Sequence, residues 1–172
     1  VWPWGRGRIG LPAHTRVFFM PQRPYLPRGS LRDTLSYPAA GDTVSDQAAH
    51  TALGRVGLHH LLARLDESEN WVDVLALAEQ QRLGFARLLI RRPDWIFIED
   101  ATEALDPASE EEMLRLLDED FPGATLLTIG SHAGLEAHHS RKFVLERTET
   151  GIRMREEVCN PEVQYSLADP EV

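Results

Sequence analysis

Five polar residues follow three short apolar runs of this sequence: Gln22, Glu99, Asp100, Ser131 and His132. Carboxylate and amide oxygens can hold a divalent cation, and a carboxylate or an imidazole can accept a proton from water. Phosphoryl transfer to water requires groups of these kinds. Because ligands of open α/β sheets bind beyond the carboxyl ends of the strands, we expect these side chains to converge on one edge of a sheet.

The apolar runs predict the strands that position these residues. Short strands are predicted over 17–20, 125–129 and 143–145, and a last one over 153–158. The run 95–98 is continuously apolar, which is typical of a parallel strand that helices cover on both faces. The order of these runs along the chain predicts an α/β fold.

Helices are predicted between the strands. Ser45 can cap a helix that runs to about Ala52, and Glu79 to Arg91 has an apolar side that stops before Pro93. A further helix is predicted over 109–118, where acidic residues at the start suit the helix dipole. The region between the first two strands is therefore a helical insert.

The composition argues against several classes of protein. The formal net charge is −9 and the basic residues are scattered, which disfavours nucleic acid and anionic lipid as partners. Cys159 is the only cysteine, so the sequence offers neither a disulfide framework nor a zinc site. No run approaches the ~18 apolar residues of a membrane span. We expect a soluble chain in a reducing, cytoplasmic setting, with further residues upstream of Val1 because no initiator Met is present.

Three stretches resemble motifs of ATP-binding-cassette (ABC) ATPases. Leu75 to Asp106, LALAEQQRLGFARLLIRRPDWIFIEDATEALD, resembles the signature, Walker B strand and D-loop. The stretch 20–38, MPQRPYLPRGSLRDTLSYP, resembles the Q-loop and the start of the helical subdomain, and 125–139, TLLTIGSHAGLEAHH, resembles the H-loop region. The pattern is most similar to the group of bacterial peptide and vitamin B12 uptake ATPases and peroxisomal fatty-acyl transporters.

The resemblance implies a partial P-loop NTPase sheet with an inserted helical subdomain. Residues 1–29 would end the core subdomain and carry the Q-loop, and 30–92 would form the helical subdomain with the signature. Residues 93–150 would return to the core subdomain with the Walker B strand, D-loop and H-loop, and 151–172 would form a C-terminal strand and tail.

The resemblance also implies site residues. Gln22 takes the place of the Q-loop glutamine and Glu99 that of the Walker B aspartate, so both would contact Mg²⁺. Asp100 stands where the family has its catalytic glutamate. Ser131 occupies the position of the switch histidine, unless a shift of one residue brings His132 there. Besides Gln22, signature and loop contacts around ATP are implied for Ala76, Leu77, Ala78, Glu79, Gln80 and Asp106.

Five positions depart from the family pattern. The order of Glu99 and Asp100 is inverted, and Ala76, Ala78 and Ser131 replace the family's Ser, Gly and His. Aspartate is one methylene shorter than glutamate, and a misplacement of ~1 Å can cost on the order of 100-fold in rate. The sequence also contains no phosphate loop of the form GxxxxGKS or GxxxxGKT, which by resemblance would end roughly ten residues before Val1. We expect weak or absent binding of ATP and Mg²⁺ by this chain, and slow or absent hydrolysis.

Two functions remain open. The first is an ATP-binding domain fragment of an ABC transporter, with a second ATPase domain in a head-to-tail dimer and a transmembrane domain as partners, at the cytoplasmic face of the inner or plasma membrane. The second is a non-catalytic protein-interaction module derived from such a cassette. The individual residues also have plainer interpretations: a solvated loop glutamine, surface acids after a strand, and an apolar helix start.

The resemblance implies an exposed sheet edge as well. In the family the strand before the phosphate loop lies centrally in the sheet. Without it, we expect 17–20 and 95–98 to present apolar edges, which favours aggregation or strand exchange.

Overall fold

The computed structural model of the chain describes residues 8, 10–39, 41–130, 133–149 and 151–159. The described strands are β1 (Val17–Met20), β2 (Gly29–Ser30), β3 (Ser68–Glu69), β4 (Trp95–Glu99), β5 (Thr125–Ile129), β6 (Arg141–Thr148) and β7 (Gly151–Val158). The described α-helices are α1 (Leu31–Ser36), α2 (Asp46–Arg55), α3 (Trp71–Val74), α4 (Leu77–Arg91) and α5 (Pro107–Asp120). Short 3₁₀ helices cover Gly41–Thr43, His59–Arg64 and Ala133–His138.

A three-stranded parallel sheet in the order β1-β4-β5 forms the centre of the fold. Its register places Met20 beside Ile98 and Ile98 beside Thr128, so the three strands end at the same edge. This sheet confirms the predicted α/β class. The strand predicted over 143–145 is longer than expected, and β6 pairs with β7 in a separate antiparallel hairpin.

The two faces of the parallel sheet differ in exposure. Met20, Ile96 and Ile98 are buried on one face. On the other face Phe19 is 70% exposed and its ring stacks on Phe97 with centroids 4.7 Å apart. The expected apolar exposure therefore exists, but its predicted location was wrong for β4. That strand is paired on both sides, so its apolar residues are exposed through an open face and not through an edge.

The insert between β1 and β4 holds most of the helices. Ser45 caps α2 as predicted, but α2 continues past Ala52 to Arg55 and the chain turns at Gly57, whose φ is 74°. The helix predicted from Glu79 begins earlier, at Leu77. Helix α4 packs against α1, α2 and α5, and the side chains buried there include Leu83, Phe85 and Leu88.

Trp71 joins two distant parts of the insert. Its side chain is fully buried at the start of α3, and its Nε1 donates a hydrogen bond of 2.9 Å to the carbonyl oxygen of Gly29. The guanidinium of Arg64 lies 5.0 Å from the centroid of the Trp71 ring. This one side chain therefore fixes the start of α3 to β2.

We expect Trp71→Phe to lower the free energy of unfolding by about 1–3 kcal/mol, because it leaves the Gly29 carbonyl without its donor. Urea unfolding followed by circular dichroism measures this change. Trp95→Phe is the matched control, since Trp95 is half-buried on the open face of the sheet and stacks on Phe97. An equal loss for both variants would contradict the assigned role of the indole N–H.

Candidate functional site

The parallel sheet brings three of the predicted site residues to one edge. Gln22 lies in the loop after β1, Glu99 is the last residue of β4 and Asp100 follows it. Glu99 lies beside Ile129, the last residue of β5. Ser131 and His132 lie outside the described residues. The described part of the edge therefore joins an amide and two carboxylates.

Asp100 has an unusual backbone conformation. Its φ is 46°, a left-handed value that is uncommon for residues other than glycine. Its N–H donates to the carbonyl oxygen of Ile129 at 2.9 Å, and its own carbonyl oxygen accepts from Glu103 N–H at 3.2 Å. These bonds hold the half-buried carboxylate at the junction of β4 and β5, where side-chain rotation is its main remaining freedom.

A small cavity lies beside Asp100. Its volume is about 10 Å³, and Thr128, Gly130 and Leu135 are among the residues that line it with Asp100. That volume is about the minimum needed for one water molecule. A Cβ added at Gly130 would lie 2.6 Å from Leu135 Cδ1 and 3.7 Å from Asp100 Oδ1, so the carboxylate lies close to the backbone that leaves β5.

The side chain of Gln22 contacts the loop that follows β4. Its Nε2 donates to Oε2 of Glu103, and both side chains are exposed. Glu103 belongs to the stretch 75–106 that resembles the signature, Walker B strand and D-loop. The NH₂ group of the Gln22 amide therefore donates to a carboxylate, while the amide oxygen can still accept a hydrogen bond or bind a cation.

Gln81 connects this edge to α4. Its side chain is only 1% exposed, and its Nε2 donates to the Gln22 carbonyl oxygen at 3.0 Å. Its Oε1 accepts from the Ala104 N–H, also at 3.0 Å. Gln81 was not among the site residues predicted from the sequence. Its place within the stretch that resembles the signature was the only available signal.

The predicted signature contacts lie at the start of α4. Ala76 is the exposed N-cap residue, and its N–H donates to Glu79 Oε2 at 2.9 Å. Glu79 also pairs with His60 Nε2 at 3.0 Å.

The next residues of the helix face inward to different degrees. Gln80 is buried and donates to the carbonyl oxygens of Val72 and Leu75. Leu77 and Ala78 are half-buried. Glu79 and Gln80 thus already have partners within the chain.

Asp106 caps α5. Its carboxylate accepts from the N–H groups of Ala108 and Ser109, each at 3.1 Å, and from the Ser109 hydroxyl at 2.6 Å. The Ser109 hydroxyl and backbone bonds lower the pKa of Asp106 from its ordinary value. The helix therefore begins at Pro107, two residues earlier than predicted, because Asp106 and Pro107 are a favourable N-cap and first residue.

Arg82 connects the same region to the insert. Its Nη2 donates to the Ser109 hydroxyl oxygen at 2.6 Å, and its Nη1 donates to the carbonyl oxygen of Val56 at 2.7 Å. Consecutive residues of α4, Gln81 and Arg82, thus contact both loops of the sheet edge and the start of α5.

Two histidines hold the segment beyond residues 131 and 132. His139 Nδ1 donates to the Leu135 carbonyl oxygen at 2.7 Å, and its Nε2 lies 2.9 Å from the Thr128 hydroxyl oxygen. His138 is buried, with Nδ1 2.7 Å from Asp118 Oδ2. The chain that leaves β5 is thereby fastened back to β5 and to α5.

The oxygen donors at this edge suit a hard cation. Within the described ranges, no group of three His, Cys, Asp or Glu side chains is arranged to hold a metal ion. Magnesium is commonly held by one or two carboxylates together with substrate phosphates. The exposed Glu99 carboxylate and the Gln22 amide oxygen fit that pattern, as donors for an ion that arrives with a phosphate ligand.

The helices of the described part of the chain are too short or too polar to cross a membrane.

The known proteins that this chain resembles in sequence are ATP-binding-cassette proteins. No family model matches the chain. An uncharacterized ABC transporter ATP-binding protein of Haemophilus influenzae is 35% identical over 146 residues, which are 85% of this chain and 24% of that protein. The inner membrane ABC transporter ATP-binding protein YddA of Escherichia coli is 33% identical, covering 78% of this chain and 23% of its own length. The mouse ATP-binding cassette sub-family D member 3 is 33% identical, over 81% of this chain and 22% of that protein.

The chain spans about a quarter of the length of these curated relatives. A solved structure of a bacterial Atm1-family ABC exporter with ATP bound matches 76% of this chain and 23% of that chain, with a TM-score of 0.65 and 21% identity. At that identity the structural match supports the fold alone.

We expect Asp106→Asn to make the protein less sensitive to acid. The folded-state pKa of Asp106 is lowered, so its capping contribution is complete above the unfolded-state value of 3.8 and is lost as the pH falls through the folded-state value. Asparagine caps without titrating, and alanine removes the cap at every pH. Thermal melts of the two variants and the unsubstituted protein from neutral pH to about pH 2 measure the difference. Parallel pH profiles for Asp106→Asn and the unsubstituted protein would contradict this role.

Proposed function

The chain is a homologue of ABC transporter ATP-binding proteins, and we propose that it is part of a domain that couples ATP binding and hydrolysis to transmembrane transport. The observation that carries this proposal is the meeting of Gln22, Glu99 and Asp100 at the carboxyl edge of one parallel sheet. In open α/β sheets that edge is where phosphate ligands bind. ATP is the substrate that we propose for it.

We assign the two carboxylates different roles. Glu99 and the Gln22 amide oxygen would hold Mg²⁺, which neutralises charge on the phosphates when bound. Asp100 would orient the attacking water and accept its proton. Two observations support the assignment of Asp100: its backbone is fixed between β4 and β5, and the neighbouring cavity has room for about one water.

We further propose that hydrolysis is slow. Asp100 is shorter by one methylene than the glutamate of the family motif, so its carboxylate lies further from a water placed for that motif. Ala76 offers no hydroxyl at the start of α4, and the methyl group of Ala78 occupies space that the family's glycine leaves open. Each change reduces contact with a γ-phosphate. Ser131 would lack the imidazole of the switch histidine, unless His132 replaces it by a shift of one residue.

The proposed partners follow from the same homology. Ala76 to Gln80 and Asp106 would face a second ATPase domain in a head-to-tail dimer, and a transmembrane domain would receive the resulting movement. The protein would then act at the cytoplasmic face of the inner or plasma membrane. The insert 30–92 would be the helical subdomain, and the sheet with Gln22 and 93–150 would belong to the core subdomain.

A non-catalytic protein-interaction module is the second candidate. The open face of the parallel sheet favours it, because Phe19 and Ile129 are 70% and 59% exposed there. Exposed apolar patches of this kind mark interaction surfaces. On this proposal the altered carboxylates would no longer have a catalytic role.

The catalytic proposal predicts that exchanging the two acids raises ATP turnover. In the intact natural protein, the double variant Glu99→Asp with Asp100→Glu restores the family order and should increase kcat on the order of 100-fold. Phosphate release from Mg²⁺-ATP measures the change. The matched control is Glu119→Asp with Asp120→Glu, the same dipeptide at the end of α5.

Equal turnover for the exchanged and control variants would contradict the catalytic assignment of Asp100. Failure of the unsubstituted protein to bind ATP at all, measured by equilibrium binding, would overturn the ATPase proposal and favour the interaction module.

A further inference from the structure

We propose that Gln81 is a positioning residue that fixes the loop bearing Gln22 against the loop that follows Asp100, and that it thereby sets the affinity of the sheet edge for Mg²⁺-ATP. This inference rests on the proposed ATPase function. It assigns a role to a side chain that contacts neither metal nor nucleotide.

The bridge consists of two bonds to backbone atoms. Gln81 donates to the Gln22 carbonyl oxygen and accepts from the Ala104 N–H, each at 3.0 Å. The Gln81 side chain is 1% exposed, so water has little access to its end of either bond. Both ends of one amide are thus occupied, and each end contacts a different loop.

The two loops leave adjacent strands. Met20 and Ile98 are register partners near the ends of β1 and β4, and the pairing between these two strands stops beyond them. Past that point the bridge of Gln81 is a buried connection that holds the separation of the loops. The contact between the Gln22 amide and the Glu103 carboxylate spans the same gap, but both of its side chains are exposed. The buried bridge is therefore the more durable of the two connections.

The bridge extends to Asp100 through a short turn. Glu103 N–H donates to the Asp100 carbonyl oxygen at 3.2 Å, and Ala104 is the next residue. Fixing the Ala104 N–H therefore limits how far Asp100 can move from Gln22. The residues proposed to hold the metal and the water are kept at a constant spacing by a side chain of α4.

The position of Gln81 in α4 gives the bridge a second consequence. The next residue, Arg82, donates to Val56 and Ser109, so the same turn of the helix is fastened to the insert and to α5. A displacement of the start of α4, where the proposed partner contacts lie, would move both loops of the edge together. Gln81 therefore couples the start of α4, where the proposed partner contacts lie, to the two loops proposed to hold Mg²⁺ and water.

The test compares three variants of the intact natural protein. Gln81→Met keeps the volume and removes both bonds, and Gln81→Glu keeps the acceptor for Ala104 but loses the donor to Gln22 when ionised. Ser36→Ala is the control, because Ser36 is buried and bonds backbone carbonyls of α1 and of the turn after it, away from the edge.

Two quantities are measured for each variant: hydrogen exchange of the Ala104 amide, and ATP affinity with Mg²⁺ and with EDTA. We expect faster exchange at Ala104 in Gln81→Met and a loss of Mg²⁺-dependent ATP affinity of about 10–100-fold, the range for partners that orient metal ligands. Affinity in EDTA should stay unchanged. Gln81→Glu should keep Ala104 protected and lose part of the Mg²⁺-dependent affinity.

Each other outcome overturns a specific statement. Faster exchange at Ala104 with unchanged Mg²⁺-ATP affinity would show that Gln81 is structural only. Unchanged exchange would show that the bridge does not hold Ala104. Equal losses with Mg²⁺ and with EDTA would indicate a general loss of fold, which Ser36→Ala calibrates. No Mg²⁺-ATP binding by the unsubstituted protein would reject the proposed function, and the inference with it.

Discussion

The pairing of β4 with a parallel strand on each side is the constraint on which the rest of the structure depends. Residues 95–98 bond to β1 and 95–99 to β5 in a continuous register, so all three strands end together. Since successive strand residues face opposite sides, that register also separates a buried face from an open one. One set of backbone bonds thus determines where the polar loops meet and which apolar side chains the helices must cover.

Helix α4 packs very close to β1, and side chains of this helix therefore reach the loop at the sheet edge. At Gly84 a Cβ would lie 3.0 Å from the Met20 sulfur, so this position favours a residue without a side chain. The close approach brings two polar side chains of α4 to the loop after β1. Gln81 binds the carbonyl oxygen of Gln22, and Arg87 donates to that of Tyr25 at 2.8 Å. Burial lowers the pKa of Arg87 to about 10, which still leaves it charged at neutral pH. The loop is therefore held at two points.

The sequence predicted the elements whose patterns are local. The runs 17–20 and 125–129 are strands with the predicted ends, because proline or glycine punctuates them. Helix starts were less well predicted. α5 begins at Pro107 since Asp106 provides a cap, and α4 begins at Leu77 although Ala76 has no capping side chain, because Glu79 reaches back to its N–H.

The site was predictable only as far as strand ends determine it. The placement of Gln22 at the same sheet edge as the acids at the end of β4 follows from parallel pairing, which the apolar runs indicated. The bridge of Gln81 and the contact of Gln22 with Glu103 join residues about 59 and 81 positions apart, and no periodicity encodes such pairs. Residues 131 and 132 lie outside the described part of the chain, so their prediction stays untested.

The inverted acids have unequal consequences because the backbone fixes their directions separately. Glu99 ends a regular strand and is exposed, whereas Asp100 follows it in a left-handed conformation, half-buried beside the backbone that leaves β5. Compared with the family order, Glu99 is the longer side chain at the strand end, and Asp100 is the shorter one at the junction. The longer Glu99 side chain can change rotamer and bring its carboxylate closer to the backbone. The shorter Asp100 side chain cannot be made to reach further. On the proposed function, the shorter side chain at residue 100 is the larger obstacle to placing the attacking water, and the proposed fixed spacing of the loops would leave the backbone little room to compensate.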